Sequence, residues 1–116
     1  MEIRPEELAE KLRRGERVWL LDVRNEWEHQ LARLPDQALI PLHELPARLE
    51  EVQPEGALLV AYCHHGVRSL GAAALLRNAG FSGALSLTGR IDLWSRAVDP
   101  SVPRYCGRWQ QSLGFG

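Results

Sequence analysis

Residues 60–80 read VAYCHHGVRSLGAAALLRNAG and set a strand, a thiol and a helix end to end. The first three belong to an apolar run, ALLVAY over 57–62, continuous and short, as suits a strand buried on both faces. Residues 69–79 are strong helix formers, and Gly80 stands where a helix C-terminal cap belongs. The loop between them, CHHGVRS, has no room for a wide excursion.

The same alternation recurs on either side. Pro5 suits a first helical position, Glu6 and Glu7 complement the positive helix start, and Leu8 and Leu12 share a face up to a cap at Gly15. RVWLLDV (17–23) reads as a buried strand, and a short helix should begin near Asn25. QALIPL (37–42) is a brief strand stopped by Pro41. HELPARLEEV (43–52) reads as a helix with Leu45, Leu49 and Val52 on one side, broken by QPEG. ALSL (84–87) is a last strand, TGRIDLWSRAV (88–98) a last helix, and 99–116 a tail without periodicity. Apolar strands alternating with helices predict an α/β fold, a mostly parallel central β-sheet flanked by helices on both faces.

The chain has 116 residues and no internal repeat, low-complexity segment or linker, so residues 1–116 are expected to form one domain. The net charge is −1 and basic residues are scattered among acidic ones, which predicts no nucleic-acid partner. No apolar run approaches the roughly 20 residues of a spanning helix, so no membrane association is expected. Two cysteines, Cys63 and Cys106, do not make a disulfide framework, and the N-terminus MEIRPEELAE does not read as a signal peptide. These features predict a reducing compartment, the cytoplasm.

In open α/β sheets ligands bind beyond the carboxyl ends of the strands, where Cys63 is expected. Gly66 lets the following loop curl, turning successive N–H groups inward at a helix N-terminus, and Arg68 adds a permanent charge. Such a cradle favours thiolate, the nucleophilic form, and can hold a charged group on sulfur, either a persulfide or a thiophosphate-like product. A core cysteine at a strand end is the plainer reading, which Gly66 and Arg68 at this spacing argue against.

CHHGVRS resembles the active-site loop of rhodanese-type sulfurtransferases, whose bacterial members often show Cys-x-x-Gly-x-Arg-Ser. LLDVRNEWEH is similar to the family's Asp-Val-Arg segment with its downstream glutamate, and ALIPLHELPARLEE, AAALLRNAGF, LTGRIDLW and DPSVPRY are similar to further landmarks. The resemblance implies a rhodanese-like fold and a sulfane-sulfur transferase in which Cys63 takes sulfur from a small anionic donor such as thiosulfate, becomes a persulfide, and yields the outer sulfur to cyanide, a thiol or a sulfur-carrier protein. It implies no metal and no organic cofactor. The loop His64, His65, Gly66, Val67, Arg68 and Ser69 would stabilise the persulfide, with Asp22 and Arg24 as structural support.

Cys63 to Arg68 is Cys-x4-Arg, whereas phosphatases of related fold use Cys-x5-Arg, a wider ring suited to a tetrahedral anion. A small phosphatase or arsenate reductase is therefore the first alternative, and a non-catalytic partner-binding module the second. The family's Gly-His-Ile-Pro-Gly-Ala is replaced by LARLPDQA, with Ala32 and Arg33 for glycine and histidine and Asp36-Gln37 for Gly-Ala, and its Gly-Gly by Gly89-Arg90. Adjacent His64 and His65 chelate one ion poorly and are read as loop residues rather than zinc ligands. Cys106 is read as incidental, the tryptophans as core or rim, and Glu26 and Glu28 as solvated helix face; His29 and His43 carry no pattern.

Overall fold

In the computed structural model of the chain, residues 1–31, 36–64 and 67–88 are described. Among them, β1 (Glu2–Ile3), β2 (Val18–Asp22), β3 (Ala38–Leu39), β4 (Leu58–Tyr62) and β5 (Leu85–Leu87) form one sheet. The order is β1-β5-β4-β2-β3 and every pairing is parallel. β2 and β4 pair along their full length, from Val18 opposite Leu58 to Asp22 opposite Tyr62.

Strand alternation sorts the apolar side chains into two cores. Leu20, Val60, Tyr62 and Leu87 face one side, where Leu8 of α1 (Pro5–Arg13) and Leu31 of α2 (Glu26–Leu31) pack. Leu21, Leu59, Ala61 and Cys63 face the other, where Ala72 and Leu76 of α3 (Val67–Asn78) close over them. Helices therefore cover both faces of a parallel sheet, as the alternation predicts. Two glycines follow the ends of α1 and α3. Gly15 and Gly80 take φ of +77° and +109°, a region that only glycine enters without strain. Each lets the next residue's N–H return to its helix, Glu16 to Lys11 O at 3.0 Å and Phe81 to Leu76 O at 2.9 Å.

Three expectations are corrected. Residues 43–52 form no α-helix: Leu42–Ala47 and Leu49–Glu51 are two 3-10 turns. Pro46 lies inside the first, and a proline there supplies no N–H for an α-helical ladder. Leu45 and Val52 are nonetheless buried. β1, absent from the expected elements, adds an edge to β5 with Glu2 opposite Ser86. α3 starts at Val67, two residues early, so Val67 and Arg68 leave the loop and join the helix's first turn. The expected helix 88–98 and the tail fall outside the described residues apart from Thr88.

Candidate active site

β4 alternates Leu59, Ala61 and then Cys63 onto the α3 side, so the thiol arrives at the carboxyl end of a central strand and against the head of a helix. Cys63 is 3% exposed. Ser69 holds it from α3: the Ser69 amide donates to Sγ at 3.2 Å and the thiol donates to Ser69 Oγ at 3.4 Å. Behind Ser69 stands Ser86 of β5, its hydroxyl 2.7 Å from Ser69 Oγ and fully buried. A chain of three polar atoms thus runs from the thiol into the sheet. Should the thiol ionise, the Ser69 hydroxyl is placed to turn and donate to sulfur. His64 is buried and Val67 is exposed, while His65 and Gly66 lie outside the described residues.

Arg68 follows Val67 on α3, and its guanidinium is forked onto Glu28 of α2, with Nη1 2.7 Å from Oε1 and Nη2 2.8 Å from Oε2. The reading of Glu28 as a solvated residue is corrected: it is buried, whereas Glu26 is exposed. The physical reason is its two sets of donors, the Arg68 fork and the Asn25 N–H at 3.0 Å, the latter capping the first turn of α2. Burial pushes the Glu28 carboxyl up, but these hydrogen bonds and the Arg68 charge outweigh it and hold the group below the ordinary glutamate value. The permanent charge expected at the loop is therefore matched by a carboxylate from the neighbouring helix.

A family model described as the Rhodanese-like domain matches residues 4–97. The chain belongs to the rhodanese-like domain family. A sulfurtransferase of Allochromatium vinosum is 37% identical over 101 residues, covering 87% of this chain and 94% of that protein. A probable adenylyltransferase/sulfurtransferase, MoeZ of Mycobacterium tuberculosis, is 35% identical over 89% of this chain, which spans 26% of that longer protein. Among solved structures, the human single-domain sulfurtransferase TSTD1 superposes with a TM-score of 0.70 at 30% identity, covering 83% of this chain and 96% of that one. These likenesses support sulfurtransferase as the general activity of this rhodanese-like domain.

Asp22 and Arg24 end β2 of the rhodanese-like domain as a fully buried pair. The Arg24 backbone N–H and Nε both donate to Asp22 Oδ1 at 2.9 Å, and Nη2 donates to Oδ2 at 2.8 Å. The guanidinium also lies 5.3 Å from the centroid of the Tyr62 ring. Burial raises the Asp22 carboxyl, yet the Arg24 contacts and a His29 hydrogen bond bring it below the usual aspartate value.

Sequence reasoning missed the rest of this network. His29 Nδ1 is 2.9 Å from Asp22 Oδ2 and 3.5 Å from Asp36 Oδ2. Tyr62 donates to Asp36 at 2.5 Å and to Asp22 at 3.2 Å. Burial raises the Asp36 carboxyl above its ordinary value, and the Tyr62 hydrogen bond and the His29 charge do not bring it back. The available signal was the departure at Asp36-Gln37, where the family carries Gly-Ala. Gln37 has its own task, its Oε1 accepting the Leu20 N–H at 2.5 Å beside β3. Asp22, His29 and Asp36 bring metal-ligand-type atoms within 4.8 Å of one another, but Arg24 donates to both Asp22 oxygens and supplies the positive charge there. Trp27 and His43 are exposed and Trp19 is half-buried; Trp94, Trp109, Arg90 and Cys106 lie outside the described residues.

Proposed function

We propose that the chain transfers sulfane sulfur from a donor to a thiophilic acceptor through a persulfide on Cys63. The observation that carries this reading is the thiol at the carboxyl end of β4, receiving the Ser69 N–H at the head of α3. A sulfur anion gains from an N–H aimed at it and from the positive end of a helix. In the first half-reaction the Cys63 thiolate attacks the outer sulfur of the donor. A sulfur–sulfur bond forms as the donor's own bond breaks, and the donor's remainder leaves with the electron pair. If the donor is thiosulfate, sulfite leaves. In the second half-reaction a thiolate or cyanide takes the outer sulfur and Cys63 leaves as thiolate. The sulfur moves at one oxidation level, so neither oxidant nor reductant is consumed.

His64, Val67, Arg68 and Ser69, together with His65 and Gly66, are the residues assigned to the persulfide cradle, and Asp22 and Arg24 to its scaffold. The Cys-x4-Arg spacing and the pairing of Arg68 with Glu28 both weigh against a phosphate-binding loop, which needs a wider ring and a guanidinium turned to the anion. The serine contacts to Cys63 weigh against an idle module, which has no use for a supported thiol. A cysteine that cycles through thiolate fits a reducing compartment, which is the ground for the cytoplasmic reading. Among the described residues no helix is long and apolar enough to cross a membrane. Thiocyanate formation from cyanide and a sulfane-sulfur donor tests the reading. Cys63→Ser should abolish turnover while Cys106→Ser retains it; turnover that survives Cys63→Ser would refute the reading.

A further inference from the structure

One tyrosine hydroxyl stands between two carboxyl groups. Tyr62 Oη is 2.5 Å from Asp36 Oδ2 and 3.2 Å from Asp22 Oδ2. A phenol carries one proton and can fill one of these gaps. The other gap is a hydrogen bond only if a carboxyl brings a proton of its own. Asp22 is not that carboxyl. Arg24 donates to both of its oxygens, and His29 Nδ1 is 2.9 Å from the same Oδ2 that Tyr62 meets. Such donors suit an ionised acid. Asp36 Oδ2 meets Tyr62 and, at the longer distance of 3.5 Å, His29.

With the second proton on Asp36, each of the shorter contacts becomes a bond. Asp36 donates to Tyr62, Tyr62 donates to Asp22, and His29 and Arg24 donate to Asp22 as well. The side chains of Asp22 and Asp36 are 0% and 10% exposed, so two ionised carboxylates there would repel with little water between them. Burial raises the Asp36 carboxyl above its ordinary value, and the Asp22 charge pushes the same way.

These groups come from four places in the chain. Asp22 closes β2, with Arg24 two residues beyond it; Tyr62 closes β4, His29 belongs to α2, and Asp36 lies just ahead of β3. Gln37, next to Asp36, spans to β2 twice. Its N–H donates to the Leu20 carbonyl at 2.9 Å, and its Oε1 accepts the Leu20 N–H. β3 is only two residues long, so its attachment to the sheet depends on what holds the residues ahead of it. Tyr62 is also the residue before Cys63, and what ties Tyr62 ties the end of the strand that carries the thiol.

We infer that Asp36 is a carboxylic acid in the folded chain and that its proton is the pin of a pH-sensitive latch, fastening the start of β3 to the carboxyl ends of β2 and β4. In acid the pin is in place. As pH rises through the Asp36 titration the proton passes to solvent, and Tyr62 has one proton for two carboxylates. Ionised Asp36 then gains by turning out to the water that its side chain already touches. The latch does not depend on sulfur transfer.

The side-chain carboxyl ¹³C resonance of Asp36, followed against pH in the full chain, reads the proton directly. Its midpoint should lie above about 3.9, the ordinary aspartate value, with the Tyr62 ring carbons moving in the same titration. Amide hydrogen exchange at Gln37 and Ile40, corrected for the intrinsic effect of pH, reads the latch, since these N–H groups bond the Leu20 and Asp22 carbonyls. Protection should fall roughly ten-fold as Asp36 ionises, the equivalent of one hydrogen bond to a charged group. Asp36→Asn, whose amide donates to Tyr62 as the acid does, should keep that protection across the range, and Asp36→Ala should lack it throughout. A midpoint at or below about 3.9 would place the shared proton elsewhere and overturn the inference. So would wild-type protection that does not follow the Asp36 titration, or an Asp36→Asn chain as unprotected as Asp36→Ala. If either variant fails to fold, the wild-type titration and its exchange profile decide.

Discussion

Ser86 meets the thiol through a second serine: its hydroxyl is 2.7 Å from the Ser69 oxygen that meets Cys63 Sγ. It therefore sets which way the Ser69 hydroxyl points. With Ser86 donating, Ser69 is free to give its proton to a thiolate; without it, Ser69 has one partner fewer in a fully buried place. Ser86→Ala should slow iodoacetamide alkylation of Cys63 at neutral pH by roughly three- to ten-fold and cost about 1 kcal/mol of stability. An unchanged alkylation rate in a folded Ser86→Ala protein would show that the hydroxyl pair is packing and no more. The same scale explains what the sequence hid about Glu28. Glu26 and Glu28 look alike in a polar run, and the donor that separates them, Arg68, lies 40 residues away. Cys63 was legible because its neighbours Gly66 and Arg68 are local; Asp36 and His29 were not, because the residues they meet come from other elements.

At the scale of elements, β4 and α3 carry the site. β4 is a continuous apolar run because β2 and β5 flank it and both faces are covered, which made it readable. α3 was equally plain, being rich in alanine and leucine and ended by Gly80. β1 was not, since two residues carry no period, and its partners Ser86 and Leu87 lie far along the chain. The segment 43–52 has a helical spacing of leucines but a proline within it, and the backbone rule prevailed over the side-chain pattern while the leucines kept their face. Packing of α3 should dominate the stability of the site. Leu76 is fully buried against the sheet, so Leu76→Ala should cost about 2–5 kcal/mol and lower the melting temperature by more than about 8 °C. Leu70, on the exposed side of the same helix, should tolerate alanine within roughly 0.5 kcal/mol. Equal losses at the two positions in thermal denaturation would contradict this account of which face α3 buries.

For the whole molecule, the buried carboxylates tie stability to pH in opposing directions. Asp22 and Glu28 are held below their ordinary values, so their contribution is complete above the unfolded range, about 3.9–4.3, and is lost as pH falls through the lower folded values. Asp36 is raised, so its contribution is present in acid and is lost as pH rises through the folded value. The two ion-paired acids outweigh the third, and the melting temperature should fall as pH drops below about 4. Asp36→Asn removes the opposing group. Its melting temperature relative to wild type should therefore be higher at neutral pH than in acid, and a difference that does not vary with pH would contradict the raised Asp36. The proposed chemistry rests on one thiol. Intact mass of the full chain after exposure to a sulfane-sulfur donor tests that most directly. The account predicts a gain of about 32 Da, one sulfur atom, reversed by cyanide, kept in Cys106→Ser and absent in Cys63→Ser. A chain that gains no sulfur from thiosulfate or from any persulfide, or that still gains it in Cys63→Ser, would contradict the account.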